Sequence, residues 1–283
     1  MKLRSPQGRV TLGSIRPSAA VSSWYDSYLK KLIVEMRKDV EQAILAEYSK
    51  NPSKSKLDHL INGLNKTWGK FFNAKADALA RGLVVRSLRH YDQAFNAELK
   101  SAKIPSRPIP KKEISALGMD ALPKLNAIKF QITDRLQETI DRGVRDNVDL
   151  ITSVPTEYLD SVRSRVREAV EKGRDTEALA RDLRERFDIT ARRARTIATD
   201  QNNKITAQIN QTRQRDLGIT QAVWIHTAAS LNPRESHAEF NGEVYDVEEG
   251  VDFDDGFGPV LPGEAINCGC LSRSIIPGYD DEE

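Results

Sequence analysis

Residues 125–148 read LNAIKFQITDRLQETIDRGVRDNV, and in them Leu125, Ile128, Ile132, Leu136, Ile140, Val144 and Val148 recur at steps of three or four. In an α-helix that spacing puts side chains on one face, and repeated steps of four make the face drift slowly around the axis. A helix with one apolar side cannot stand alone, so this stretch predicts packed helices. The pattern continues downstream. Pro155 reads as the first residue of a further helix carrying Leu159, Val162, Val166 and Val170, stopped at Lys172-Gly173-Arg174. Asp175 is placed to cap a short helix through Phe187, and Thr190 to cap another running to Leu217, with Gly218 as its stop.

Upstream, Tyr25, Tyr28, Leu29, Leu32, Ile33, Met36, Val40, Ala43 and Ile44 follow the same period, with Ser22 or Ser23 as the cap. Asn51-Pro52-Ser53 breaks the run. A second long stretch, about 55–101, carries Leu57, Leu60, Ile61, Leu64, Trp68 and Phe71 on one stripe, while Gly63, Gly69 and Gly82 predict a kink or a split. Three prolines between Ile104 and Pro110 mark an extended linker. After Gly218 the period changes: residues 222–226 and 243–247 read as short strands among Gly, Pro, Asn and Asp. The expected fold class is mainly α, long helices and a helix bundle followed by a small α+β, loop-rich C-terminal module. The expected division is an extended arm (1–22), a long-helix region (23–103), a Pro-rich linker (104–122), a helical bundle (123–217), the module (218–277) and an acidic tail (278–283).

Composition narrows the function. No run of 18 apolar residues exists in the 283, so no membrane span is expected. Met1–Ala20 lacks the apolar core of a signal peptide, which favours synthesis and action inside a cell. Charge is graded along the chain. Residues 1–110 hold 20 Lys and Arg against 9 Asp and Glu, and residues 217–283 hold 2 against 14. The basic front suits contact with duplex DNA, or equally a solvated helical surface. Arg192, Arg193 and Arg195 present the same choice. Only Cys268 and Cys270 occur, and a disulfide across so small a loop is strained. Free thiols or metal ligands remain.

The order of short motifs from Ser153 to Pro277 resembles the Mu F-like head-morphogenesis family of phages. The resemblance rests on Tyr158-Leu-Asp-Ser-Val-Arg, the helix starting at Asp175-Thr-Glu-Ala-Leu-Ala, Ala194-Arg-Thr-Ile-Ala-Thr-Asp200, and Gly218 before Trp224. It continues through Arg234-Glu-Ser-His237, Asn241-Gly242, Pro262, Asn267-Cys268-Gly-Cys270 and Pro277. Many relatives hold cysteines where Arg234 and His237 stand and a histidine where Glu264 stands, a pattern similar to a zinc knuckle. Arg234 cannot ligate a metal. A zinc held by His237, Cys268 and Cys270 therefore needs a fourth ligand from Glu264, Asp246 or His226. With or without zinc, these three residues are expected to lie close together, with Asn241-Gly242 forming a turn between strands.

The resemblance implies a non-enzymatic minor head protein of the procapsid and virion, at the portal vertex or capsid interior after assembly in the host cytoplasm. Implied partners are the portal protein and the major capsid or scaffolding protein, with non-specific double-stranded DNA a further one. Some relatives carry C-terminal effector domains; few residues follow Pro277 here, so none is expected. Two other readings stand beside it. One is a DNA-binding adaptor acting through the basic N-terminal helices. The other is a zinc-dependent enzyme, because His237-Ala238-Glu239 followed by Cys268 and Cys270 imitates the deaminase pattern, although its cysteines are two rather than three apart. No phosphate-binding glycine loop or nucleophile elbow is present.

Overall fold

Four long helices carry most of the chain: α1 (Ala19–Lys50), α2 (Lys54–Ser101), α3 (Asp134–Glu171) and α4 (Thr176–Asp216). The computed structural model describes residues 9–50, 53–102, 132–227, 233–254, 256 and 258–280. The Pro-rich linker, Leu125, Ile128, Phe257 and residues 281–283 of the acidic tail lie outside them. The mainly α class with a small C-terminal sheet is what the periodicity predicts.

The helical cores follow the sequence closely. Leu29, Ile33, Met36, Val40 and Ile44 of α1 are fully buried. α1 ends at Lys50 and α2 begins at Lys54, and α2 is one helix through Gly63, Gly69 and Gly82. On α3, Leu136, Ile140 and Val144 are buried, but Val148 is only half-buried. Steps of four rotate the stripe, so the buried face passes to Asn147 and Ile151. Asn147 is sheltered because its Oδ1 accepts the Tyr25 hydroxyl at 3.0 Å.

Three helix ends differ from the sequence reading. The N-terminal cap of α1 is Ser18, whose Oγ accepts Val21 N–H at 3.4 Å, not Ser22 or Ser23. Pro155 lies inside α3 and starts nothing. Its missing N–H is tolerated because Ile151, Val154, Tyr158 and Leu159 bury the helix on either side, and burial of that size outweighs a local proline cost of about 3 kcal/mol. Thr190 does not cap a new helix. Its hydroxyl donates to Arg186 O at 3.0 Å, within the continuous α4. Asp175 does cap, its Oδ1 accepting Ala178 N–H at 2.7 Å. Gly218 (φ +70°) ends α4 with Ile219 N–H returning to Gln214 O.

Contacts divide the chain into two units, residues 22–82 with 144–199, and residues 1–21, 83–143 and 200–283. In the first, Arg167 forks onto Asp58, Tyr48 donates to Arg174 O, and Arg193 pairs with Glu157. One member of the basic trio is thus committed internally. The second unit contains the sheet: β1 (Arg9–Thr11), β2 (Gln221–Ile225), β3 (Val244–Asp246) and β4 (Leu271–Asp280), ordered β1-β4-β2-β3 and antiparallel throughout. Of the expected extended arm, 1–22, residues 9–11 form β1 and residues 19–22 open α1. In the structure Leu12 N–H donates to Ser274 O, Gly13 N–H to Glu98 and Asn202 to Ser18 O, with Leu12 and Ile15 buried.

In the same unit Arg213 of α4 meets Asp92 of α2 through two hydrogen bonds of 3.2 and 3.1 Å, with side chains 3% and 6% exposed. Burial pushes the Asp92 carboxyl up to about 6 although the guanidinium pulls it down. Asp92→Ala removes the counter-charge of a buried guanidinium and is expected to cost about 3–5 kcal/mol in urea unfolding. The joint Asp92→Leu, Arg213→Met change is expected to cost less than about 1 kcal/mol. Equal losses in the two variants would show that the pair is not coupled.

Candidate functional site

The sheet has two faces, and strand alternation sorts its side chains between them. Val223, Val244 and Ile275 pack on one face. On the other, Ala222, Trp224 and Tyr245 join Val247, Cys268 and Cys270. Trp224 is fully buried and is the hub of this cluster. His237, Phe240, Tyr245 and Phe253 all present ring edges or faces to it at centroid distances of 5.1–5.9 Å and near-perpendicular planes. That geometry suits the aromatic quadrupole.

Two turns bring the polar residues in. Arg234 leads into the short helix α5 (Glu235–Glu239), which buries His237 against Phe253 at 4.6 Å. Asn241-Gly242 turns the chain from α5 into β3. Gly242 has φ +88°, its N–H donates to Trp224 O, and Asn241 Oδ1 accepts His226 N–H at 2.8 Å. On the opposite side Asn267 adopts φ +57°, reversing the backbone just before Cys268. Asn tolerates that conformation better than most residues.

His237, Cys268 and Cys270 meet. Their ligand atoms lie within 4.8 Å of one another and all three residues are buried. His237 Nδ1 is 3.6 Å from Cys268 Sγ and 3.8 Å from Cys270 Sγ. Cys-x-Cys spacing, which sets side chains apart on a helix, sets them on one face in extended chain, and these cysteines run directly into β4. Cys268 is the more acidic thiol, because the Cys270 thiol hydrogen-bonds to it; that same bond, with burial, pushes Cys270 up. The other candidate ligands are used differently. Glu264 Oε2 accepts Leu261 N–H, and Asp246 Oδ1 accepts Glu248 and Glu249 N–H, so both carboxylates fix turns. Arg234 donates both terminal nitrogens to Ile266 O at 3.3 Å, tying α5 to the cysteine loop.

Sequence reasoning overlooked the support beneath this cluster, which is a polar stripe on α4. Asp200 Oδ1 accepts Asn267 N–H at 2.6 Å, Asn203 donates to Cys268 O, Gln211 to Val247 O, and Gln214 to both Ser272 and Ser274 hydroxyls. Tyr245 donates to the same Ser272 Oγ at 2.6 Å. Asp200, Asn203, Gln211 and Gln214 are spaced to share one helix face, but a search for apolar period passes over Asp, Asn and Gln. Removing the Asp200 carboxylate by Asp200→Ala is expected to cost about 1.5–3 kcal/mol, the worth of a charge-assisted hydrogen bond. Amide exchange should rise first in residues 264–270; unchanged protection there would mean that Asp200 does not hold the loop.

Comparison with known proteins agrees with this anatomy. The family described as Phage Mu protein F like protein matches residues 160–273. An uncharacterised protein of Haemophilus influenzae (strain Rd) is 26% identical over 279 residues, covering 95% of this chain and 56% of the relative. The chain thus spans only about half the length of the curated relative it matches. No solved structure matches it. The match to the Phage Mu protein F like family runs from the end of α3 through α4, β2, α5 and β3 to the start of β4, and takes in the thiol–imidazole cluster.

Proposed function

We propose that the chain is a minor head protein of a tailed phage or prophage, a structural component that docks at the portal vertex and assists head assembly or genome passage. The observation that carries this reading is the family match over residues 160–273, which covers α4 and the module it supports. The geometry of that module agrees with a structural role. Its polar side chains turn inward onto its own loops: Arg234 onto Ile266, Asp200 onto Asn267, Gln214 onto β4.

A hydrolytic reading of His237-Ala238-Glu239 fits less well. Deaminase chemistry needs the glutamate beside the metal-bound water, whereas His237 is buried and Glu239 is exposed on the far side of α5. A non-enzymatic role is accordingly proposed. Among the described residues no helix is long and apolar enough to cross a membrane. The proposed neighbours are the portal protein and the major capsid or scaffolding protein, in the capsid interior or at the portal, after assembly in the host cytoplasm. Duplex DNA is a further proposed partner through the basic front. Part of that charge is internally paired, Lys30 with Asp26, Lys54 with Glu171 and Arg81 with Asp77.

Two experiments test the reading. Mass spectrometry of purified heads should find the chain in few copies and crosslinked to portal. Disrupting its gene should give empty or non-infectious heads while other head proteins accumulate. Normal titres without it, or its absence from heads, reject the proposal. For DNA, the full chain should retard unrelated duplexes equally at low salt and release them by physiological salt. Sequence-selective, salt-insensitive binding overturns the electrostatic contact.

A further inference from the structure

We infer that His226, His237, Cys268 and Cys270 together form a Cys2His2 site for a structural zinc ion that pins β2, α5 and the cysteine loop to one point. The inference rests on the positions of these four side chains and is independent of the head-protein reading.

The register supplies the fourth ligand. In the antiparallel pairing of β2 with β4, Ala222 faces Ser274, Trp224 faces Ser272 and Ile225 faces Leu271. The next position sets His226 opposite Cys270, on the same face as Trp224, and Thr227 Oγ1 continues the pairing by donating to Gly269 O at 2.6 Å. The side chains meet as the register requires, with His226 Nδ1 3.5 Å from Cys270 Sγ. Asp246 and Glu264 are occupied in turns, so His226 is the donor at hand.

Three of the four sulfur–nitrogen distances approach those of a tetrahedral site. Zinc bonds of about 2.3 Å to sulfur and 2.0–2.1 Å to nitrogen, at tetrahedral angles, separate a sulfur from a nitrogen ligand by about 3.5 Å. His226 Nδ1–Cys270 Sγ, His237 Nδ1–Cys268 Sγ and His237 Nδ1–Cys270 Sγ are 3.5, 3.6 and 3.8 Å apart; the ligand atoms of His237, Cys268 and Cys270 form one group within 4.8 Å, and His226 borders it at Cys270. Two thiols and two imidazoles are a borderline-soft set that suits zinc over magnesium or calcium. Four protein ligands close the coordination sphere, which is the structural rather than the catalytic form. The rest of the site is rigid: Trp224 and Phe253 pack on His237, and Asn203 holds Cys268 O. Binding releases the two thiol protons to solvent and changes no oxidation state.

The test uses the full-length chain, reduced and purified without a histidine tag. Elemental analysis should find about one zinc per chain. Cobalt(II) exchanged into the site should give the intense d–d bands of tetrahedral coordination with a thiolate charge-transfer band. Cys268→Ser should abolish uptake. His226→Asn, at a half-buried position, should keep the fold by circular dichroism while zinc affinity against a competing chelator falls at least about tenfold, the smallest loss expected even for an outer-shell change. Glu264→Gln should leave affinity unchanged. If Cys268→Ser does not fold, the wild-type cobalt spectrum and His226→Asn still decide. A reduced chain that takes up neither zinc nor cobalt overturns the site, as does one found with a Cys268–Cys270 disulfide that binds no metal after reduction. Full affinity in His226→Asn overturns the fourth ligand.

Discussion

The antiparallel register of β2 on β4 governs the C-terminal module. Because side chains alternate, one register decides that Trp224, Tyr245, Ser272 and Ser274 face α4 together while Val223, Val244 and Ile275 face the other way. A slip of one residue would move Trp224 out of its aromatic cage and send both cysteines to the opposite face. The cost of such a slip is the loss of almost every buried contact in a module with few large apolar residues. The register is therefore held from several sides: by the strand bonds, by Gln214 reading both serine hydroxyls, and by Thr227 on Gly269.

Helix α4 supports this arrangement by polar means. A helix usually meets a sheet through an apolar stripe, and the α4 face towards the module instead presents Asp200, Asn203, Gln211 and Gln214. Each finds a partner on a loop or strand. Buried polar networks are directional, and a partly satisfied one costs more than an apolar contact. That trade favours specificity of position over raw stabilisation. It suits a small module whose irregular loops have to be placed accurately, because backbone atoms at Asn267, Cys268 and Val247 are themselves the acceptors and donors.

Sequence reading recovers the helices well and their joints less well. The apolar period of Leu29 to Ile44 or Leu136 to Val144 follows directly from burial. Pro155 and Thr190 look like boundaries because local chemistry says so, and tertiary packing overrides both: α3 and α4 continue through them. At the site, the approach of His237 to the cysteines was legible from the crowding of soft side chains in a module poor in core. That His226 stands beside Cys270 while Asp246 and Glu264 fix turns was not legible. It depends on strand pairing between residues far apart in the chain, and β4 carries no alternating signal. The partner of the N-terminal arm was hidden for the same reason.

That arm has a kinetic consequence. Thr11 pairs with Ile275, so the first strand of this sequence to be synthesised waits for the last before it has a neighbour. Pairing across nearly the whole chain carries a large loop-closure entropy and raises contact order, which slows folding. The helices, with local contacts, are free to form as they emerge, whereas the sheet closes only at the end. Until β1 docks, β4 offers an open edge that another copy's arm can occupy, and exchange of β1 between chains is the misassembly this topology invites.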